Sequence, residues 1–113
     1  MPCLVIHTNV AKPASTDAFF EEATKTVASL TGKPAAYIQV RLQTDQQMSF
    51  GGSTEPTAEV TLGNVGNIKT STEKCSSAIC ELLKKQLGIP SNRVYVFFTV
   101  FQGSNVGYDG RTF

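Results

Sequence analysis

The chain repeats itself at an offset of 56 residues, and this constrains its fold more than any other feature. Gly32-Lys33-Pro34 falls on Gly88-Ile89-Pro90, and Ser15-Thr16-Asp17 on Ser71-Thr72-Glu73. Leu4–Ile6 falls on Val60–Leu62, and Ile38, Val40 and Leu42 on Val94, Val96 and Phe98. Two copies of one supersecondary unit fit this period, whereas a solenoid needs at least three. Each copy reads as strand, helix, strand, so the expectation is an α+β fold. Two pseudo-repeated β-α-β units, residues 2–56 and 57–113, form one domain with a four-stranded sheet and two helices on one face.

The helices are legible from their ends. Ser15 or Thr16 can cap the first, with Asp17 in its first turn. Phe20, Ala23, Val27 and Leu30 recur at helical spacing as its apolar face. Gly32 supplies a left-handed stop, and Pro34 forbids continuation. The second helix carries Thr70-x-x-Glu73 as a capping box. Its apolar face is Cys75, Ile79, Leu82 and Leu83, and Gly88 and Pro90 end it.

The strands differ. Tyr37–Gln43 alternates Ile38, Val40 and Leu42 with Gln39, Arg41 and Gln43, giving one core face and one wet face. In the last strand, Val94, Val96, Phe98 and Val100 read as the core face. Tyr95, Phe97 and Phe101 then lie on the other face, which two helices on one side of a sheet cannot cover. An apolar, aromatic outer face marks an interface. The reading is an oligomer with residues 94–101 at the contact; the alternative is that residues 104–113 fold back over that face.

Composition excludes several classes. A net charge of +1 with no basic run offers nothing to nucleic acid or an anionic membrane. No apolar stretch is long enough to span a bilayer, and no signal-peptide pattern opens the chain. Cys3, Cys75 and Cys80 are odd in number and form no C-x-x-C pair. With His7 as the one histidine they make no standard metal set. They read as buried, reduced thiols of a cytosolic protein, and His7 as a packed or channel-facing residue. Phe50-Gly51-Gly52-Ser53 lacks the lysine and helix start of a phosphate loop and reads as a tight turn.

Pro2 opens the first strand, a position proline tolerates. Its small neighbour-side bulk permits removal of Met1, which would leave a secondary amine anchored at a strand end. A start residue that merely permits processing is the plainer alternative.

Pro2, Thr8-Asn9-Val10, Thr31-Gly32-Lys33-Pro34, Tyr37-Ile38, Phe50–Ser53 with Glu55-Pro56, Arg93-Val94-Tyr95 and Asn105-Val106-Gly107 stand in order along the chain. Together they resemble the macrophage migration inhibitory factor family of the tautomerase superfamily. The resemblance runs from Pro2 to Phe113. It implies a homotrimer around a central channel and cofactor-free keto–enol tautomerase activity on small aromatic α-keto acids and dopachrome-like compounds. It also implies a cytokine-like protein, cytoplasmic and exported without a signal peptide, that engages a cell-surface receptor.

Residue by residue, the resemblance makes Pro2 the catalytic base and Lys33 the pocket lysine. Val65 stands where isoleucine is usual and contributes through its backbone. Tyr95 and Val106 correspond to residues supplied by a neighbouring subunit. Tyr37, Tyr108 and Phe113 fall at the pocket rim. Departures are plain. Phe97 replaces an asparagine that donates to substrate, and Tyr108 a tryptophan. Thr57 and Val60 replace two cysteines, so thiol oxidoreductase activity is not implied. Lys12 and Asp45 match a surface Arg–Asp pair, with the bidentate fork lost.

The chemistry suits these groups. A base that takes a proton from carbon works best with a pKa near operating pH. Burial and a nearby cation both lower an amine's pKa. Lys33 can be that cation and can also pair with a substrate carboxylate and the developing enolate. Without Pro2, Lys33 would read as a solvated residue of a helix-ending turn. Two readings follow: an enzyme, or a secreted signalling ligand with a vestigial pocket. A decarboxylase or dehalogenase would need further acidic or basic pocket groups.

Overall fold

Ser15 and Ser71 open the two helices in the same way in the computed structural model, which describes residues 1–113. The Ser15 hydroxyl accepts from Ala18 N–H, and the Ser71 hydroxyl from Lys74 N–H. The helices are α1 (Thr16–Thr31) and α2 (Thr72–Leu87), and each stops at a left-handed glycine, Gly32 or Gly88, with φ 70°. A 3-10 turn follows each proline, at Ala35–Tyr37 and Ser91–Arg93. The strands are β1 (Pro2–Thr8), β2 (Gln39–Gln43), β3 (Ala58–Val65) and β4 (Val94–Phe101). A short hairpin, β5 (Gly107–Tyr108) and β6 (Arg111–Thr112), closes the chain.

The sheet order is β2-β1-β3-β4. Each repeat pairs its own strands in parallel, and the two repeats join antiparallel through β1 and β3. Val5 pairs with Thr61, its own counterpart in the repeat. The pseudo-two-fold axis therefore passes through that rung. Leu4, Ile6, Val60 and Leu62 meet Phe19, Ala23, Val27, Ile79, Leu82 and Leu83 in one fully buried core between sheet and helices. Glu22 of α1 binds Lys85 and Gln86 of α2, tying the helices at their outer edges.

Several sequence expectations need correction. The cap of α2 is Ser71, not Thr70; Thr70 Oγ1 instead donates to Leu30 O at 2.7 Å. The buried face of α1 is Phe19, Ala23, Val27 and Thr31, with Phe20 and Leu30 at its margins. Thr31 can be buried because its hydroxyl donates to Val27 O. The second strand begins at Gln39, not Tyr37, because Pro34 starts a 3-10 turn closed by Tyr37 N–H and Ile38 N–H. Val100 is 57% exposed rather than core, since the helix layer stops short of the end of β4. Of the three free cysteines only Cys75 is buried; Cys3 and Cys80 are half-buried.

The helix-free face is aromatic over β4, carries Cys3, Val5 and His7 on β1, and is polar over β2 with Gln39, Arg41 and Gln43. Tyr95 is 62% exposed and Phe97 52%. The C-terminal hairpin does not fold back over them; it packs on Tyr37. His7 lies on the same face. With its amide turned to suit both neighbours, Gln43 donates to His7 Nε2 and accepts from Arg41 Nε. Phe101 lies across Gly63, where a Cβ would come 2.7 Å from its ring and 3.2 Å from Cys3 Sγ.

Candidate active site

Pro2 is the buried first residue of a central strand. It sits opposite Asn64 of β3 and is held from outside by the Val65 N–H bond to Met1 O at 3.2 Å. In the chain as described its nitrogen is the amide of the Met1–Pro2 bond. That atom stands where a secondary amine would be after Met1 is removed.

The parallel pairing of β1 with β2 brings the turn before β2 to the same end of the sheet, because Gln39 is level with Cys3. Lys33 and Tyr37 lie in that turn. Lys33 N–H is received by the Thr31 hydroxyl, which anchors the turn to the end of α1. The Lys33 side chain is near enough to act on charge at the N-terminus. The Met1 amine is held below its ordinary value, first by burial and then by the Lys33 ammonium, with Cys3 opposing.

The rim forms from the chain's own tail. Tyr108 meets Tyr37 edge-on at 5.5 Å and stacks with Phe113 at 5.6 Å. Phe113 N–H donates to Val106 O, which joins Val106 to the same group. Within its own chain Val106 is thus joined to the tail that carries Tyr108 and Phe113. The depression lined by Gly107–Thr112 is the open side of this hairpin. None of the chain's surface depressions is lined by Pro2, Lys33 or Val65, so a single chain leaves this end open.

Tyr95 and Phe97 are elsewhere. Tyr95 is level with Glu59 and Asn64 with Val100, so five rungs separate Tyr95 from the level of Pro2. At the usual strand rise that is about 17 Å. Both aromatic side chains also lie on the helix-free face, whereas Pro2 shares the helix face with Leu4 and Ile6.

Sequence reasoning gave no role to three residues that the structure singles out, two of which it had quoted only as parts of motifs. Arg93 donates from Nε to Pro56 O and from its terminal nitrogens to Phe50, Ser53 and Glu55 carbonyls. Asn9 grips the same segment through Thr54 O, Glu55 O and Thr57 N–H. The motif residues 50–56 are therefore a clamped loop that sets Phe50 5.1 Å from Tyr95. Asn64 is fully buried, and its Oδ1 has no partner. The signal for it was parity: Ala58, Val60 and Leu62 are core, and the next inward position is polar. Lys12 and Asp45 approach through the Asp45 N–H bond to Val10 O, but no ion pair joins them. Thr57, in place of a cysteine, donates to Arg93 O at 2.6 Å.

Fold and site define a β-α-β pseudo-repeat protein with a buried proline at its first strand end and a lysine and a tyrosine in the turn at that same end. Residues 1–113 match the family described as Macrophage migration inhibitory factor (MIF). The chain is 42% identical to macrophage migration inhibitory factor of Xenopus tropicalis, covering 100% of this chain and 99% of that protein. It is 40% identical to the Trichinella spiralis homolog over 100% of both. The homologue structure from Prochlorococcus marinus superposes with TM-score 0.93 at 32% identity, covering 98% of each chain. The chain belongs to the macrophage migration inhibitory factor family, which is in general one of tautomerases and cytokines. No helix is long and apolar enough to cross a membrane.

Proposed function

We propose that this chain is a cofactor-free keto–enol tautomerase for aromatic α-keto acids of the phenylpyruvate type and dopachrome-like compounds, with the Pro2 amine as general base. The observation that carries this is the burial of Pro2 at a strand end where the Lys33 ammonium acts on the adjoining Met1 amine. Burial and the Lys33 ammonium already lower the Met1 amine, which is only half-buried. An amine one residue further in meets the same two causes, and both favour the neutral form that can accept a proton.

The reaction needs one proton moved. The Pro2 lone pair takes a proton from the carbon next to the substrate carbonyl. The C–H electrons become the enol double bond, and the carbonyl oxygen gains negative charge. Lys33 balances that charge and the substrate carboxylate. The proton then passes to the oxygen. Tyr37, Tyr108 and Phe113 offer an aromatic wall, Val106 packs beside them, and Val65 contributes its backbone at the strand end.

Tyr95 and Phe97 join this site only from another copy of the chain. We take that assembly to be a homotrimer, held through the aromatic face of β4. Cytokine activity through a cell-surface receptor, with cytoplasmic residence and export without a signal peptide, is part of the same reading. The full-length likeness to the Xenopus tropicalis protein supports it. In the alternative, the chain signals and its pocket is vestigial.

The test uses protein whose intact mass shows Met1 removed. Phenylpyruvate tautomerisation should be rapid, and Pro2→Gly should lower kcat/KM by about 100-fold or more with the fold intact. Full activity in Pro2→Gly would overturn Pro2 as the base, and no turnover in the processed parent would overturn the enzyme reading and leave receptor binding as the function to assay. Light scattering should give a trimer mass; a monomer would sink the assembly.

A further inference from the structure

Asn64 has what a buried side chain rarely has, an oxygen with no partner. Its residue is wholly inaccessible, and its Nδ2 donates to Gly66 O at 3.0 Å. That bond fixes which end of the amide is which and turns Oδ1 inward. A buried acceptor left unpaired loses its water without a replacement partner, so its retention asks for a reason.

The repeat shows where this side chain reaches. Asn64 and Thr8 are counterparts under the pseudo-two-fold, as are Pro2 and Ala58. Thr8 Oγ1 donates to Thr57 O at 2.8 Å, the carbonyl joined to the nitrogen of Ala58. A side chain at this position therefore meets the peptide link just before its cross-strand partner. The counterpart link at the other end of the ladder is Met1–Pro2. Val65 N–H bonds Met1 O, so Pro2 and Asn64 form a pair without mutual backbone bonds, the kind whose side chains stand closest.

We propose that Asn64 Oδ1 accepts the N–H of the free Pro2 amine and so directs its lone pair into the open site. While Met1 is attached, the proline nitrogen has no hydrogen to give. Once it is removed, a neutral secondary amine has one N–H, held by Asn64, and one lone pair. After taking a proton it has two N–H groups, one still on Asn64 and one facing the substrate. Asn64 is a positioning residue. This rests on the Pro2 reading above.

Because an ammonium donates more strongly than an amine, the contact raises the amine's titration midpoint, against Lys33 and burial. The other ionisable groups at this end include the Cys3 thiol and the hydroxyls of Tyr37 and Tyr108, with Asp109 and Arg111 in the hairpin that carries Tyr108. β3 and β4 present Val65, Val100 and Phe101, and β2 presents Gln39; none of these titrates.

The experiment compares Asn64→Leu with Asn64→Asp in protein lacking Met1. Both lose the donor to Gly66 O, and only the aspartate keeps an acceptor. The readout is the pH dependence of acylation of the N-terminal amine, which needs no turnover. The midpoint should fall by about one pH unit in Asn64→Leu. It should rise in Asn64→Asp, and the acid limb of kcat/KM should move with it. No shift in either, or the same shift in both, overturns the proposal. Should neither variant fold, a crystal structure of the processed parent decides. Pro2 N within about 3.2 Å of Asn64 Oδ1 supports it, and a separation beyond about 4 Å overturns it. Full activity of Pro2→Gly would instead sink Pro2 as the base while leaving this contact measurable.

Discussion

Mixing two crippled chains should restore activity, because Tyr95 and Pro2 of one chain cannot share a site. Five rungs of ladder, about 17 Å, and opposite faces of the sheet separate them. Consider Pro2→Gly, with almost no activity, and Tyr95→Ala, with about a tenth, the loss expected for roughly 1.4 kcal/mol of transition-state contact. In randomly mixed symmetric trimers half the sites have Pro2, and half of those face an intact Tyr95. Such a mixture has about a quarter of parental activity. Were Tyr95 to act within its own chain, the mixture would show only the average of the two variants, about one-twentieth. The fivefold gap is readable by a phenylpyruvate assay on co-refolded protein, with mixed trimers counted by native mass spectrometry. Mixed trimers that are present but no more active than the average would refute the shared site.

Three further outcomes follow from particular contacts. Arg93→Ala removes the donor to Pro56 O and one of the two donors to each of the carbonyls of Phe50, Ser53 and Glu55. Urea unfolding should show a loss of about 2–4 kcal/mol; a loss under about 0.5 would mean the clamp is decorative. In protein that keeps Met1, the N-terminal amine should titrate below its ordinary range, and Lys33→Ala should raise its midpoint only part of the way, since burial is the larger cause. A full return, or no change, in amine acylation against pH would contradict that order. Phe97→Asn should raise kcat/KM for hydroxyphenylpyruvate several-fold by adding a donor to the neighbour's face of the site; an unchanged or lower value in a folded variant would count against Phe97 lying there.

Much of the fold was legible because it is local and repeated. Ser15 and Ser71, Gly32 and Gly88, and Pro34 and Pro90 mark the same helix ends twice, and the structure keeps that offset. Where a local motif conflicted with the repeat, the repeat was the better guide: Thr70 resembles a cap, but Ser71, the counterpart of Ser15, is one. Pro2, Lys33 and the rim aromatics could be named from a family resemblance along the chain. What could not be read is how the two units are joined. Alternation assigns a residue to a face, but it says nothing about which strand end lies beside which. Only the antiparallel meeting of β1 and β3 sets Pro2 against Asn64, and only the parallel pairing of β1 with β2 brings Lys33 and Tyr37 to the same end. The same ladder carries Tyr95 to the far end of β4. A side chain's type and period are written along the chain, whereas its neighbours across the sheet depend on contacts dozens of residues apart, and those exist only once the sheet has formed.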